Sequence, residues 1–197
     1  MRAGDILSSP ATGETFYFLK TGADTHGRLL AYEIHVEPGG CDLLATHLHP
    51  KQEERFEVLK GVVEFVIAGK TVILEAGESL VVAAGQTHTW RNAGDRMALI
   101  LTEIEPAGQT ETLIETLCAT SRDRRFRSGG GMARLPPLAV MLDKYRDHVY
   151  LAGMPVILQK AALATLAVIG RAQGYRPEYT YVNCVPEAER DVSIMLA

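Results

Sequence analysis

From residue 14 to residue 105 short apolar runs alternate with turn-forming residues about nine times. Glu14 to Lys20 (Glu-Thr-Phe-Tyr-Phe-Leu-Lys) has the aromatic content of a strand. Residues 28–37 alternate strictly, with Leu30, Tyr32, Ile34 and Val36 on one face and Ala31, Glu33, His35 and Glu37 on the other. That period of two predicts a β-strand, which Pro38-Gly39-Gly40 ends. A short strand follows around His47-Leu48-His49, then strands at Arg55–Leu59, Val62–Ala68 and Thr71–Glu75, the last two joined by a Gly69-Lys70 hairpin turn. Further strands are predicted at Ser79–Ala83, Thr87–Arg91 and Met97–Ile104. Turn signals recur every 8–12 residues or so, the pattern of an all-β sandwich or barrel.

The pattern changes at Pro106. Thr112-Leu-Ile-Glu115 fits a capping box, and Leu113, Ile114, Leu117 and Cys118 share one helical face. Residues 121–131, with Arg122, Arg124, Arg125, Arg127 and three consecutive glycines, read as a basic, solvated connection. Pro136-Pro137 restarts structure, and Leu138, Met141, Leu142, Tyr145 and Val149 repeat at helical spacing. Pro155 suits the first turn of a further helix running to Gly170, and Gly174 to Pro177 stops it; a strand is expected at Tyr179–Val182. The expected organisation is a β domain over residues 1–106 and a helical extension over 107–197.

Composition adds limits. Of the 197 residues, 47% are apolar and 22% charged, ordinary for a globular chain, and the formal net charge of −4 argues against nucleic acid as partner. Cys41, Cys118 and Cys184 are dispersed and odd in number, with no CxxC and no disulfide framework. With no apolar leader at the start, a cytoplasmic location is the expectation. The most apolar run, Met154 to Gly170, is short for a membrane span and contains Gln159 and Lys160, so a buried or partner-facing helix is expected.

The candidate chemistry lies in residues 40–61. In a strand His47 and His49 point to one face, and Glu53 or Glu54 follows after a turn containing Pro50. Two imidazoles and a carboxylate suit a divalent transition metal. The residues resemble the cupin superfamily. Its first motif reads here as Gly40, six residues, His47-x-His49, four residues, Glu54, six residues, Gly61. Its second reads as Gly77, five residues, Ala83-x-Gly85, two residues, His88, three residues, Asn92. The leading spacing is one longer than the pattern and Ala83 stands where the motif has proline. The likeness covers roughly residues 25–105. It implies an antiparallel double-stranded β-helix, or jelly-roll barrel, holding one metal through His47, His49, Glu54 and His88. Strand parity agrees, because Glu54 shares a face with Phe56 and Val58 whereas Glu53 falls in the turn. Three imidazoles and a carboxylate favour Fe, Mn, Ni, Zn or Cu over Mg or Ca.

Other candidates are weaker. Glu33 and His35 either line the barrel mouth or are solvated, and Trp90 either walls the pocket or faces outward. Cys41 is read as structural. A metal-dependent small-molecule enzyme, dioxygenase-like and with Glu54 doubling as a base, is the leading functional expectation within the resemblance. A non-catalytic binding or sensor module with an oligomerising tail is the alternative, and a metal-assisted isomerase or decarboxylase a lesser one. A homodimer is implied by the resemblance and by apolar edges that need cover.

Overall fold

In the computed structural model, described here for residues 1–122 and 135–181, two antiparallel sheets face each other. The strands are β1 (Ile6–Ser9), β2 (Glu14–Lys20), β3 (Leu30–Val36), β4 (His47–Leu48), β5 (Glu53–Lys60), β6 (Val62–Ile67), β7 (Lys70–Glu75), β8 (Ser79–Val82), β9 (His88–Asn92), β10 (Ala98–Glu105) and β11 (Tyr150–Leu151). The helices are α1 (Thr110–Arg122), α2 (Leu135–Lys144) and α3 (Val156–Ala172). One sheet has the order β1-β2-β3-β10-β5-β8 and the other β11-β4-β9-β6-β7. This is the expected jelly-roll architecture, formed by two facing sheets.

Alternation dictates what faces inward. On β3 Leu30, Tyr32, Ile34 and Val36 are buried, and on β5 Glu54, Phe56 and Val58 are buried while Glu53, Arg55 and Glu57 are exposed. Phe56 of one sheet and Phe65 of the other pack with ring centroids 5.2 Å apart, so a single core spans both. Burying each such ring contributes on the order of 2 kcal/mol of transfer free energy.

The glycines and asparagine of the motifs have structural jobs. Gly61 has φ +87, and a Cβ there would come within 3.0 Å of Ala98. Asn92 donates from Nδ2 to the carbonyls of Val36 (2.9 Å), Glu37 (3.1 Å) and Arg96 (2.8 Å), which ties the end of β9 to the end of β3. Where the motif has proline, the Ala83 N–H donates to Oε1 of Gln86 (2.9 Å), a turn-closing bond that proline cannot make.

Several predicted boundaries move. Ile67 pairs with Lys70, so the hairpin turn is Ala68-Gly69 and not Gly69-Lys70; both turn residues have positive φ, 48 and 78. β1 and β11 were not predicted. The segment after Pro106 is not purely helical: α2 stops at Lys144, and the chain turns through residues 145–149 to lay β11 against β4. Tyr179 and Thr180 are not in a strand, and Val182 lies outside the described residues, as do Arg124, Arg125, Arg127 and Cys184. Among the described residues no helix is long and apolar enough to cross a membrane.

Candidate functional site

His47 is the first residue of β4, His49 follows that strand, Glu54 is the second residue of β5, and His88 opens β9. His47 pairs directly with His88 across the β4–β9 ladder, so two imidazoles from distant motifs become neighbours, with ring centroids 4.3 Å apart. His49 is 5.0 Å from His47, centroid to centroid. Glu54 comes from the facing sheet: its Oε2 is 2.6 Å from Nε2 of His88 and its Oε1 3.6 Å from Nε2 of His49. All four residues are buried, and one potential ligand atom from each lies within 4.8 Å of the others.

The second nitrogen of each ring is already engaged. His47 Nδ1 is 3.0 Å from the carbonyl of Ala45, His49 Nδ1 2.8 Å from that of His148, and His88 Nδ1 3.2 Å from that of Gln86. A carbonyl only accepts, so each Nδ1 is the N–H in these bonds and Nε2 is left to face the cluster. Electrostatics fit that arrangement. Burial, reinforced by His88 and His49, pushes His47 down to about 3, which keeps it neutral. Glu54 is opposed by burial, but the neighbouring His49, His88 and His47 imidazoles outweigh this and hold it at about 2, hence ionised. His88 is likewise opposed by burial, and its bond with Glu54 raises it above its ordinary value. Three neutral-capable imidazoles and an ionised, deeply buried carboxylate fit a transition-metal donor set.

The cluster opens into a small cavity of about 50 Å³ that continues to solvent. Phe16, Tyr32, Ile34, Phe56 and Trp90 form its apolar walls, and Leu113, Ile114 and Leu117 of α1 close one side. Trp90 therefore walls the pocket. Glu33 and His35 do not line it; they lie on the outer side of β3, 3.6 Å apart, with the Tyr17 ring tilted against that of His35. Cys41 is exposed, while Cys118 is buried in the core. Arg122 donates to Oγ of Ser8 (2.9 Å) and lies over the ring of Tyr181.

Sequence reasoning missed two residues of this cavity. Glu14 starts β2 and is 2% exposed, and the side chain of Asp42, in the loop before β4, is 10% exposed. Burial pushes Glu14 well up, assisted by Asp42, and pushes Asp42 up to about 7. Each has an oxygen without a hydrogen-bond partner, Oε1 of Glu14 and Oδ2 of Asp42. The bond that Thr12 donates to Glu14 contributes on the order of 1 kcal/mol, whereas an unpaired buried oxygen costs about 1–3 kcal/mol, so fold stability does not explain Glu14. No sequence signal identified the pair, since each is a single acidic residue beside a turn.

Comparison with known proteins supplies the family context. The cupin-domain model (Cupin_2) matches residues 32–105. A protein named polyketide synthase CurC, from Streptomyces cyaneus, is 30% identical over 78 residues, covering 40% of this chain and 49% of that protein. The chain thus spans about half the length of the curated relative it matches. Among solved structures, an RmlC-like cupin from Shewanella frigidimarina is 18% identical, over 55% of this chain and 88% of that one, with a TM-score of 0.47. A predicted oxalate decarboxylase from Thermotoga maritima is 20% identical, over 52% and 99%, with a TM-score of 0.45. KdgF from Halomonas is 17% identical, over 52% and 86%, with a TM-score of 0.45.

Proposed function

Since the chain belongs to the cupin superfamily through residues 32–105, we propose that it binds one divalent transition-metal ion through His47, His49, Glu54 and His88 and acts as a metal-dependent, dioxygenase-like enzyme on a small molecule. The observation that carries this reading is the meeting of four buried donor atoms within 4.8 Å at the floor of a walled cavity. The ion, one of Fe, Mn, Ni, Zn or Cu, would supply Lewis-acid polarisation of a chelating oxygen and, where redox-active, electron transfer to O₂.

The remaining chemistry falls to the chain's own residues. His47, His49 and His88 present Nε2 because main-chain carbonyls hold their Nδ1 atoms. Glu54 contributes the negative charge. Held ionised, it is a weak base, so its proposed second role is to accept a proton only from an enol or phenol hydroxyl that the site has already acidified. Phe16, Tyr32, Trp90 and the α1 leucines exclude water and fit the flat face of an unsaturated ligand. The name of the Streptomyces relative, a polyketide synthase, is in keeping with a small-molecule ligand.

The alternative of a binding or sensor module draws support from α3. Ile157 is 82% exposed, Val168 66% and Leu158 60%, an apolar face that a soluble chain covers. Within the same proposal, a second copy of the chain provides that cover, giving a homodimer.

The test is metal content followed by O₂ uptake. Protein purified without chelator should carry one transition-metal ion per chain and consume O₂ with catechol- or flavonol-type compounds. Metal without turnover favours the sensor reading. Turnover of a sugar or keto acid without O₂ favours an isomerase or decarboxylase. The lack of any transition metal overturns the proposal.

A further inference from the structure

The cavity holds a second acidic feature, beside the four clustered donors but not one of them. Glu14 and Asp42 both line it, and neither belongs to the His47–His49–Glu54–His88 group, which is the only such group of potential metal-holding side chains among the described residues. Each carboxylate is anchored through one oxygen. Glu14 Oε2 accepts from Oγ1 of Thr12 at 2.5 Å, and Asp42 Oδ1 accepts from the Leu44 N–H at 3.1 Å. The other oxygen of each, Glu14 Oε1 and Asp42 Oδ2, is buried and has no hydrogen-bond partner. Asp42 Oδ2 is 3.6 Å from Nδ1 of His47, but that ring nitrogen bonds the Ala45 carbonyl. Among the described residues the cavity walls carry no lysine or arginine. Two acceptors wait there without a protein donor, and an anionic ligand group would meet no countercharge beyond the metal-binding cluster.

We infer that Glu14 and Asp42 form a specificity subsite, a paired acceptor that takes a hydroxyl or amine donor on a small aromatic ligand whose other end chelates at the His47, His49, Glu54 and His88 cluster. This rests on the metal-site reading above. The subsite selects ligands with a neutral or cationic donor tip and rejects those with a carboxylate or phosphate tip. The aromatic walls of the cavity, Phe16, Tyr32 and Trp90, fit a flat ring rather than a sugar. Glu14 and Asp42 would touch the ligand away from the reacting atoms, so they set selectivity and not the chemical step.

Four catechols that share the chelating end and differ only in the tip test this on the full-length, metal-loaded chain. They are 4-ethylcatechol (methyl tip), hydroxytyrosol (hydroxyl), dopamine (ammonium) and 3,4-dihydroxyphenylacetate (carboxylate), titrated anaerobically by calorimetry. Hydroxytyrosol and dopamine should bind about tenfold or more tighter than 4-ethylcatechol, as befits hydrogen bonds to a carboxylate, and the carboxylate-tipped compound should bind weakest. In Glu14→Gln the dopamine advantage should shrink by about tenfold while 4-ethylcatechol stays within about twofold and metal content is unchanged. If that variant does not fold, Asp42→Asn takes its place. Equal affinity for all four catechols, or a preference that survives both substitutions, overturns the subsite alone. Failure to load metal or to bind any catechol overturns the metal-site reading and the subsite with it.

Discussion

His88 joins both motifs, since it pairs with His47 in the ladder and bonds Glu54 across the sheets. Its raised pKa reflects the 2.6 Å contact with Glu54, whereas the lowered one of Glu54 reflects His49 first and then His88 and His47. A lowered carboxylate adds stability above its ordinary 4.5 that is lost as pH falls towards about 2. A raised imidazole adds stability below its ordinary 6.5 that is lost as pH rises through its folded value. The metal-free pair therefore stabilises the chain fully between about 4.5 and 6.5. Metal needs His88 deprotonated, so affinity should rise with pH through the raised His88 value and then level off. His47, already neutral, contributes no proton. Calorimetry near neutral pH in buffers of different ionisation enthalpy should show up to one proton released per metal bound; two or more would mean that His88 is not the sole proton carrier. Glu14 supports a separate prediction. Because its Oε1 is buried and unpaired, Glu14→Leu should raise unfolding stability by about 1 kcal/mol, a melting-point gain of about 2–4 °C for a chain of this size. A drop in melting temperature would show that Glu14 serves the fold instead. Parity alone distinguished Glu54 from Glu53. Trp90 could not be placed that way, because the phase of β9 relative to the sheet plane is set by its pairing with β6 and not by its own sequence.

At the scale of elements, the segment after Pro106 is built into the site. α1 supplies one wall of the cavity. Gln52, in the turn before β5, donates from Nε2 to the carbonyls of Pro106 (2.8 Å) and Ala107 (3.1 Å) and to Oγ1 of Thr110 (2.8 Å), fastening the histidine-bearing turn to the start of α1. The carbonyl of His148, just before β11, holds His49. Truncation after Pro106 therefore removes the partner of one histidine, the β11 edge of β4 and the α1 cover of the core. It should lower metal affinity by about 10–100-fold, the usual effect of losing an outer partner, and leave the chain prone to aggregate. Unchanged metal loading of a soluble 1–106 fragment would separate the extension from the site. α2 and α3 cross closely because Gly170 has no side chain: a Cβ there would lie 2.5 Å from Val140 Cγ2 and 2.6 Å from the Pro136 carbonyl. Gly170→Ala should cost about 1–3 kcal/mol in urea unfolding through this overpacking. Eight of the nine strands from β2 to β10 were legible because each is long enough to show alternation or is bounded by glycine, and the two-residue β4 was legible only through its His47-x-His49 spacing, since strand parity is rigid. β11, two residues long, has no period to detect, and the helical repeat through Tyr145 and Val149 masked it. Glu14 and Asp42 come to line one cavity because the loop after β3 folds over the start of β2, through the Cys41 N–H to Thr12 carbonyl bond (3.0 Å), a long-range contact that no local pattern encodes.

For the whole molecule, the consequence is a site enclosed by both sheets and a helix, in a chain of net charge −4 and with no lysine or arginine on the cavity walls among the described residues. The exposed apolar face of α3 is on a different element from those that wall the cavity, so assembly and chemistry are separable. If α3 pairs with a second copy, the full chain sediments as a dimer, and Ile157→Glu with Val168→Glu makes it a monomer that keeps its metal; a monomeric parent protein would contradict this. The most direct test of the central claim is elemental analysis of the full-length chain purified without chelator, beside Glu54→Gln and His88→Ala. The parent should carry close to one transition-metal ion per chain, and each variant should lose most of it while remaining folded. A folded parent that carries none and takes up none on titration with Mn, Fe, Ni, Cu or Zn would contradict the metal site itself.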